Sequence, residues 1–202
     1  MPHEETDLRT KLAQELQQFA LTHPEQKEAA DKMLRFLDEH EDAFERSCQA
    51  GHFTGSAWLV SPDGTKALLT LHHKLGRWMQ TGGHADGCAI PIQVALKEAT
   101  EESGIEGIQP LSTAIFDIDI HPIPANPLKG ESEHLHYDLR YLLQAPHMNY
   151  IISAESDDLA WWEKKDFAEH AGILDASVLR MAERFFHSIP NTTLHPLQRK
   201  NN

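Results

Sequence analysis

The sequence has little cysteine. Cys48 and Cys88 are the only two in 202 residues, and they form no CxxC pair. This scarcity excludes a zinc ribbon and a disulfide-stapled scaffold, and it fits a reduced compartment. The first residues are acidic and show no basic-then-apolar leader pattern. We therefore expect a cytoplasmic protein.

Long apolar runs and an excess of positive charge are also missing. No apolar run approaches the ~18 residues of a membrane span, so no membrane segment is predicted. Lys and Arg number 18 against 31 Asp and Glu, a formal net charge of −13. This charge disfavours duplex nucleic acid and anionic membranes as partners, because phosphate backbones are bound by clustered cations. A small phosphorylated substrate stays open, because a bound divalent metal reverses the local sign of the charge.

Residues 1–47 are predicted to form a helical extension. Apolar residues recur every three or four positions in two stripes, which is the period of an amphipathic helix. The stripes are Leu8, Leu12, Leu16 and Phe19, then Ala29, Met33, Phe36 and Leu37. Between them, the spacing of Thr22 and Glu25 is that of a capping box and predicts a restart of the helix. We expect a helical hairpin over 7–47 that packs on a core or on a partner.

The chain changes to short strands near Gly51. The predicted strands are 52–60, 66–73, 78–80, 114–120, 134–143 and 158–162. A helix is predicted over 91–103, with Gly104 as its left-handed cap, and a last helix around 178–186, which Pro190 ends. Gly82-Gly83 is interpreted as a turn, 121–133 as a loop and 191–202 as a loose tail. This order predicts an α/β or α+β sandwich, a mixed sheet flanked by helices.

Three carboxylates share one face of the helix predicted over 91–103. Glu98, Glu101 and Glu102 stand at i, i+3 and i+4, where like charges repel. The apolar stripe of the same helix is Ile92, Ala95, Leu96 and Ala99. One side is therefore anchored in a core while the other presents oxygen ligands, which Mg²⁺ and Mn²⁺ prefer. The alternative is a solvated acidic face.

The stretch from Gly83 to Ile105 resembles the Nudix box, G-x5-E-x7-R-E-U-x-E-E-x-G-U. Its spacing matches throughout, and seven of the nine set positions agree. Ala89 stands where the pattern has Glu, and Lys97 stands where it has Arg. Arg77-Trp78-Met79-Gln80 before the box, and Glu155 ahead of Trp161-Trp162, are similar to flanking elements of bacterial Nudix hydrolases. The resemblance covers about 48–190, with 1–47 as an extension.

The resemblance implies a Nudix-like α/β/α sandwich around a mixed β-sheet, and hydrolysis of a pyrophosphate linkage with Mg²⁺ or Mn²⁺. The implied substrate is a nucleoside diphosphate derivative, with a nucleotide sugar or an ADP-ribose-like compound favoured over a triphosphate. The implied metal ligands are Glu98, Glu101, Glu102 and the carbonyl of Gly83. The general base varies in this family, and the candidates here are Glu101, Glu102, Glu131, Glu133 and Glu155. Nudix-like enzymes often dimerise, so the helical extension can form or cover a homodimer interface.

Histidines supply further candidate groups. His134, His136, Asp138 and Arg140 alternate along a predicted strand and share one sheet face. An H-x-H pair on a strand can bind zinc or iron, contact a substrate or serve structure alone. No cysteine or third histidine lies at a sequence spacing that completes a metal site. His84 and Arg77 are predicted to contact the substrate or its phosphates, together with His134 and His136.

Two alternatives to hydrolysis remain. The departures at Ala89 and Lys97 favour a nucleotide-binding regulatory domain without turnover, whereas the intact Glu98, Glu101 and Glu102 disfavour it. An isomerase acting on prenyl diphosphates requires a cysteine beside an allylic carbon. Cys88 is available for that role, but it lies in the loop of the box, which makes this the weakest of the three interpretations.

Overall fold

The computed structural model describes residues 2–127, 130–154 and 156–188. The helices are α1 (Pro2–Thr22), α2 (Lys27–Glu39), α3 (Pro91–Ser103), α4 (Lys164–Glu169) and α5 (Ala176–Ser188), with 3-10 turns at Pro24–Gln26 and Ala171–Ile173. The strands are β1 (Gly51–Val60), β2 (Lys66–His72), β3 (Arg77–Met79), β4 (Thr81–His84), β5 (Gln109–Ile123), β6 (His134–Gln144) and β7 (Ser156–Glu163). None of the helices in these ranges is long and apolar enough to cross a lipid bilayer.

The strands form one mixed sheet. Its order is β3-β2-β1-β6-β5, with β4 paired to β1 and β7 paired to β2. β1 and β6 run parallel, from Gly51 opposite Leu135 to Val60 opposite Gln144, and the other strand pairs are antiparallel. The two central strands therefore hold their side chains in fixed register over their whole length.

Helices cover both faces of this sheet, because successive residues of each strand point to opposite sides. On one side α1, α2 and α3 share a buried apolar cluster with the sheet, which includes Leu16, Met33, Ala95, Phe53 and Leu139. On the other side α4 and α5 bury a second cluster, which includes Trp58, Leu69, Phe167, Met181 and Phe185. The predicted α+β sandwich around a mixed sheet is confirmed. The division at residues 47 and 48 stays a prediction.

The helical extension ends earlier than the sequence pattern predicts. The predicted helical segment ran to residue 47, but α2 ends at Glu39 and turns follow. The guanidinium of Arg9 in α1 donates to the carbonyl oxygens of Leu37, His40 (2.8 Å) and Glu41 (3.1 Å). Since the last carbonyls of a helix have no partner within it, this contact from α1 fixes the end of α2.

Two other local predictions are wrong in detail. Gly82-Gly83, predicted as a turn, lies in strand β4, antiparallel to β1. A Cβ on Gly82 would lie 2.2 Å from Oγ of Ser56, so only glycine allows this close pairing. β5 extends from Gln109 to Ile123, beyond the predicted 114–120 at both ends. It contains Pro110 and Pro122, which are tolerated because β5 is an edge strand. The predicted helix end at Pro190 and the tail 191–202 lie outside the described residues.

A buried carboxylate joins the sheet to α5. Asp117 of β5 is fully buried and accepts hydrogen bonds from three guanidinium groups. Arg140 of β6 lies 3.2 Å from it, while Arg180 and Arg184 of α5 reach it at 2.8 and 3.0 Å. A buried carboxylate is tolerated only when it is paired and hydrogen-bonded, and these three contacts supply Asp117 with its partners in the core.

The same network reaches the N-terminal helices. Arg184 donates to Oε1 of Gln26 at 2.6 Å, and Nε2 of Gln26 donates to the carbonyl of Ile118 at 2.8 Å. Gln26 ends the 3-10 turn between α1 and α2 and is buried. The helical extension is therefore joined to β5 and α5 by polar contacts as well as by the apolar cluster.

We expect Asp117→Asn to lower the free energy of unfolding by about 1.5–3 kcal/mol, because it removes the charged acceptor that three guanidinium groups share, while Arg140 keeps its contacts with Asp119 and Asp138. Asp31→Asn is the control, since it removes one exposed ion pair, to Lys27 at 2.6 Å, and should cost less than about 1 kcal/mol. Urea denaturation at pH 7 measures both. Equal losses in the two variants would contradict a structural role for the buried network.

Candidate active site

The helix α3 presents its carboxylates because its opposite side is anchored against β1. Pro91 occupies the first turn, and Gly104 ends the helix with φ +66° in the left-handed region. Val94, Ala95 and Ala99 are buried in the core. A Cβ on Gly55 of β1 would lie 2.5 Å from the carbonyl oxygen of Pro91, so glycine there permits the close approach of helix and strand.

The carboxylate face of α3 borders a cavity of about 400 Å³. Residues from the six strands β1 to β6 and from the loops between elements complete its wall. The lining residues are Arg46, Thr54, Ser56, Thr70, His72, Leu75, Met79, Gln80, Gly82, Gly83, His84, Asp86, Lys97, Glu98, Glu101, Glu102, His121, Ile123, His136 and Asp138. Most of the lining residues therefore carry polar side chains, among them acidic, basic and imidazole groups.

Backbone contacts from β4 hold two of the three carboxylates. The N–H of Gly82 donates to Oε1 of Glu102 at 2.8 Å, and Glu102 is buried. A Cβ on Gly83 would lie 2.5 Å from Cδ of Glu98, so the carboxylate of Glu98 occupies the space that a larger residue would fill. The side chain of Glu98 is 15% exposed, whereas that of Glu101 is 59% exposed. The set offers hard oxygen donors of graded exposure, which suits Mg²⁺ or Mn²⁺.

Lys97 neutralises part of this negative charge. Its Nζ lies 3.0 Å from Oε1 of Glu98 and 3.2 Å from Oε2 of Glu101. The hydrogen bond to Glu98 is the main cause that raises the pKa of Lys97 above its usual range. An ammonium is a single point charge, so Lys97 lacks the planar fork that arginine would supply at this position of the box.

The other departure from the box lies in the core. Ala89 is 9% exposed and belongs to the apolar cluster that α3 shares with the sheet. A glutamate at this position would bring a carboxylate into apolar surroundings without a described partner. The alanine therefore replaces a polar contact of the box with apolar packing.

Arg46 and Asp86 form an ion pair at the rim of the cavity. Nη2 of Arg46 donates to Oδ2 of Asp86 at 2.8 Å, and Nε of Arg46 donates to Oδ1. Asp86 is the one non-glycine residue with positive φ (+47°) in the described chain. Both side chains are about half exposed. The pair joins the segment before β1, which carries Arg46, to the loop between β4 and α3, which carries Asp86. It places a guanidinium at the cavity that the carboxylates border.

The floor of the cavity is a polar strip across three strands. In register, His52, Thr54 and Ser56 of β1 lie opposite His136, Asp138 and Arg140 of β6. His121 and Asp119 of β5 lie opposite His136 and Asp138 on the other side. Period-2 alternation gives these residues a common face, which continues toward Trp58 and the apolar cluster under α4 and α5.

Asp138 lies at the centre of that strip. It is 2% exposed and accepts hydrogen bonds from Thr54 (2.8 Å), Ser56 (2.7 Å), Gln80 (3.3 Å) and Arg140 (2.7 Å). With its oxygens occupied, Asp138 orders its neighbours rather than offering a free carboxylate. It also connects the floor of the cavity, through Arg140, to the buried Asp117 network.

A cluster of histidines forms one end of the cavity. The rings of His52, His84 and His136 are 4.8 to 5.0 Å apart between centroids. His134 lies beside them, with its ring 4.9 Å from that of His52. Neither ring nitrogen of His52 has a hydrogen-bond partner among the described residues, and Nε2 of His136 also lacks one there.

Burial favours the neutral form of His52, His84 and His136. Burial lowers the pKa of His52 from 6.5 to about 4, with smaller contributions from the neighbouring His84 and His134. Burial likewise lowers the pKa of His136 to about 2, and it lowers the pKa of His84. The cluster therefore offers uncharged nitrogen lone pairs and N–H donors rather than positive charge.

The structure brings together most, but not all, of the candidate site residues predicted from the sequence. Gly83, His84, Glu98, Glu101, Glu102 and His136 line the cavity. Arg77 lies exposed on β3, opposite His72, and does not line it. His134 contacts the other histidine rings without lining the cavity. Glu131 and Glu133 are exposed outside the cavity lining, and Glu155 lies outside the described residues.

Arg46, Gln80 and His121 line the cavity but were not predicted as site residues. The sequence reasoning also missed His52, Thr54 and Ser56 of β1. The signal for these three was the polar residue at every second position of the predicted strand 52–60, the same pattern as in His134-x-His136-x-Asp138. That signal becomes informative only when β1 and β6 are known to be neighbours in this register. The third histidine of the cluster comes from this strand, so sequence spacing alone did not reveal it.

The chain has relatives of known name. No protein-family model matches it. It is 26% identical over 113 residues to the Mycobacterium tuberculosis protein named "Putative 8-oxo-dGTP diphosphatase 3", in strains CDC 1551 and H37Rv. The match covers 54% of this chain and 49% of that protein, so the chain spans about half the length of the curated relatives it matches.

Solved structures show the fold. A Nudix hydrolase from M. smegmatis, RenU, superposes with a TM-score of 0.51 at 18% identity, over 74% of this chain and 91% of that one. A NUDIX-family hydrolase from Clostridium perfringens gives a TM-score of 0.49 at 24% identity, over 68% and 98%. The chain has the Nudix fold, and the resemblance seen in the sequence is confirmed at that level.

We expect Gly83→Ala to weaken Mn²⁺ binding by about 10- to 100-fold while leaving the melting temperature nearly unchanged. The added Cβ would displace the carboxylate of Glu98, but that group is the end of a flexible side chain and can move away. Gly172→Ala is the control, because nothing lies within 4 Å of its added Cβ. Calorimetric titration with Mn²⁺ and thermal melts measure both effects. Equal Mn²⁺ affinities in the two variants would contradict a role for the Gly83–Glu98 contact.

We expect the metal-free protein to lose stability as the pH falls from 6.5 toward 4. In this window the unfolded chain protonates His52, whereas the folded chain, with the pKa of His52 near 4, does not. His52→Gln removes this difference in proton binding. The melting temperature of this variant should therefore fall less between pH 7 and pH 5 than that of the wild-type chain. The exposed His187 provides the control, His187→Gln. Scanning calorimetry in EDTA measures the fall, and the same fall in all three proteins would refute the assignment.

Proposed function

We propose that this chain is a divalent-metal-dependent pyrophosphohydrolase of the Nudix type, acting on a nucleoside diphosphate derivative. The observation that carries the proposal is the convergence of Glu98, Glu101, Glu102 and Gly83 on one cavity. A pyrophosphate linkage needs its oxygen charges neutralised, a water in line with the leaving group and an acceptor for the proton of that water. The cavity holds groups for each of these tasks.

The carboxylates of α3 would hold the divalent cation, together with the carbonyl of Gly83. When bound there, Mg²⁺ or Mn²⁺ neutralises phosphoryl charge and lowers the pKa of water. The contact of Glu98 with Gly83 and the hydrogen bond from Gly82 to Glu102 fix these ligands before any cation binds. Lys97 and Arg46 also line the cavity and would contact phosphate oxygens.

The proton of the attacking water would pass to a carboxylate at the cavity. Asp138 has four donors and Asp86 is paired with Arg46, so both are occupied. Glu101 is the most exposed of the three helix carboxylates and has Lys97 as its described ion-pair partner. We assign the base role to Glu101, ahead of Glu131 and Glu133, which do not line the cavity. One P–O bond of the P–O–P linkage breaks, the water oxygen bonds to one phosphorus atom, and the products are two phosphate monoesters.

The remaining cavity wall fits the nucleoside or sugar part of the substrate. The volume of the whole cavity, about 400 Å³, lies within the range of about 300–1,000 Å³ that small-molecule sites occupy. His84, His121 and His136, with Gln80, present hydrogen-bonding groups to a sugar or base. A nucleotide sugar or an ADP-ribose-like compound is our preferred substrate. The M. tuberculosis relative is named for 8-oxo-dGTP, so triphosphates are the competing class.

A nucleotide-binding domain without turnover is the second candidate. The contacts of Lys97 with Glu98 and Glu101 favour it, because an ammonium there competes with a divalent cation for the same oxygens. The apolar packing of Ala89 favours it as well, because the carboxylate of the box is absent. Turnover in the presence of a divalent metal separates the two candidates.

We expect metal-dependent hydrolysis by the full chain, and a loss of about 100-fold or more in kcat for Glu102→Gln, since a metal contributes several kcal/mol to such reactions. The substrate panel contains ADP-ribose, nucleotide sugars, dinucleoside polyphosphates, NADH and nucleoside triphosphates, each with Mg²⁺ and with Mn²⁺. Glu106→Gln is the matched control, because Glu106 is exposed and lies outside the cavity lining.

Glu101→Gln distinguishes the base from a pure metal ligand. Loss of the base lowers kcat at saturating metal, while loss of a ligand raises the metal concentration needed for the half-maximal rate. Absence of turnover across the panel, with one nucleotide still raising the melting temperature, would replace hydrolysis by the binding function. Equal rates for Glu102→Gln and Glu106→Gln would refute the carboxylate site.

A further inference from the structure

We infer that His52, His84 and His136 form a binding site for a borderline transition-metal dication such as Zn²⁺, separate from the carboxylates of α3. One nitrogen of each ring can be chosen so that all three lie within 4.8 Å of one another. The site would stand whether or not the chain hydrolyses pyrophosphates, because its ligands are nitrogens and those of α3 are oxygens.

The sheet places the three histidines side by side. His52 lies opposite His136 in the parallel pair of β1 and β6. His84 lies opposite Thr54 in the antiparallel pair of β1 and β4, so it flanks His52 from the other side. Backbone hydrogen bonds of two strand pairs therefore fix the three Cα positions. A preformed set of this kind lowers the entropic cost of binding an ion.

Three of the six ring nitrogens in the cluster are buried and have no hydrogen-bond partner among the described residues. His52 is 2% exposed, and both of its nitrogens are without a hydrogen bond among the described residues. Nε2 of His136 is buried and also unbonded there. A buried polar atom without a partner costs about 1–3 kcal/mol, so three such atoms in one cluster need an explanation. A coordinated cation would bind one lone pair on each ring.

The distances require a small closure. A tetrahedral zinc ion with Zn–N bonds of about 2.0–2.1 Å sets its ligand nitrogens about 3.3 Å apart. The separations between the ligand nitrogens, now up to 4.8 Å, therefore have to decrease by about 1.5 Å at most. Rotation of the imidazole rings about their χ angles supplies this change. Neutral imidazole is the form that a metal binds, and burial favours that form in the three rings.

The site has an open side. His84 and His136 both line the cavity, while His52 closes the back of the cluster. Three protein ligands with a fourth position facing a cavity are typical of catalytic and substrate-binding zinc sites, whereas structural sites are closed by a fourth protein ligand. The fourth position here faces the space that a small molecule would occupy. The ion would therefore contact water or a ligand in the cavity.

Zinc titration of the EDTA-treated full chain in excess Mg²⁺ tests this site. We expect one equivalent of Zn²⁺ to bind, and one equivalent of Co²⁺ to give the visible absorption of a tetrahedral nitrogen site. His84→Asn and His136→Asn should each weaken Zn²⁺ binding by about 100-fold or more. His84 is partly exposed, so its variant should fold even where substitution of the buried His52 does not, and circular dichroism checks this.

Two controls separate the site from other ligands. His72→Asn changes a histidine that lines the same cavity outside the cluster and should leave Zn²⁺ affinity unchanged. Glu98→Gln should weaken Mn²⁺ binding and retain Zn²⁺. The site is refuted if the wild-type chain binds no stoichiometric Zn²⁺, or if His72→Asn or Glu98→Gln loses as much affinity as His84→Asn. It is refuted equally if His84→Asn and His136→Asn keep Zn²⁺, which would place the ion elsewhere, for instance at His40, Asp42 and Cys48.

Discussion

The buried carboxylate of Asp117 is the constraint on which much of this structure depends. A charge with no access to water must find counter-charges inside the protein, and Asp117 finds three guanidinium groups. These partners come from β6 and α5, and Arg184 extends the contact to Gln26 between the first two helices. One buried carboxylate and its partners thus link two strands, a helix and the N-terminal extension. Apolar packing alone would leave their relative positions less defined.

The same chain of polar contacts leads to the floor of the cavity. Arg140 binds Asp117 on one side and Asp138 on the other, and Asp138 orders Thr54 and Ser56. The polar strip is possible because β1 and β6 are parallel neighbours in register, so polar residues of both strands fall on one face. The carboxylates of α3 and histidines of four strands then border a single space. The site is therefore a product of strand register as much as of the helix that carries the box.

The sequence predicted those parts of the fold that local signals determine. α3 was predicted at its observed bounds, because Pro91, Gly104 and an apolar stripe mark its start, end and buried side. β4 was missed because glycine has little preference for strands, and its pairing depends on the close approach of Ser56. The end of α2 depends on Arg9, which is distant in sequence. His52 joins the histidine cluster through strand neighbours that no sequence spacing encodes.

The contact of Arg184 with Gln26 spans 158 positions of the chain. During synthesis the first helices leave the ribosome long before α5 exists, so their polar anchor cannot form until nearly the whole chain has been made. A contact between residues so far apart in sequence carries a large entropic cost of loop closure, and such contacts slow folding. The histidine cluster uses β1, β4 and β6 only and can form earlier. The histidine end of the cavity thus belongs to the part of the molecule that can assemble first, and α5 packs onto the sheet afterwards.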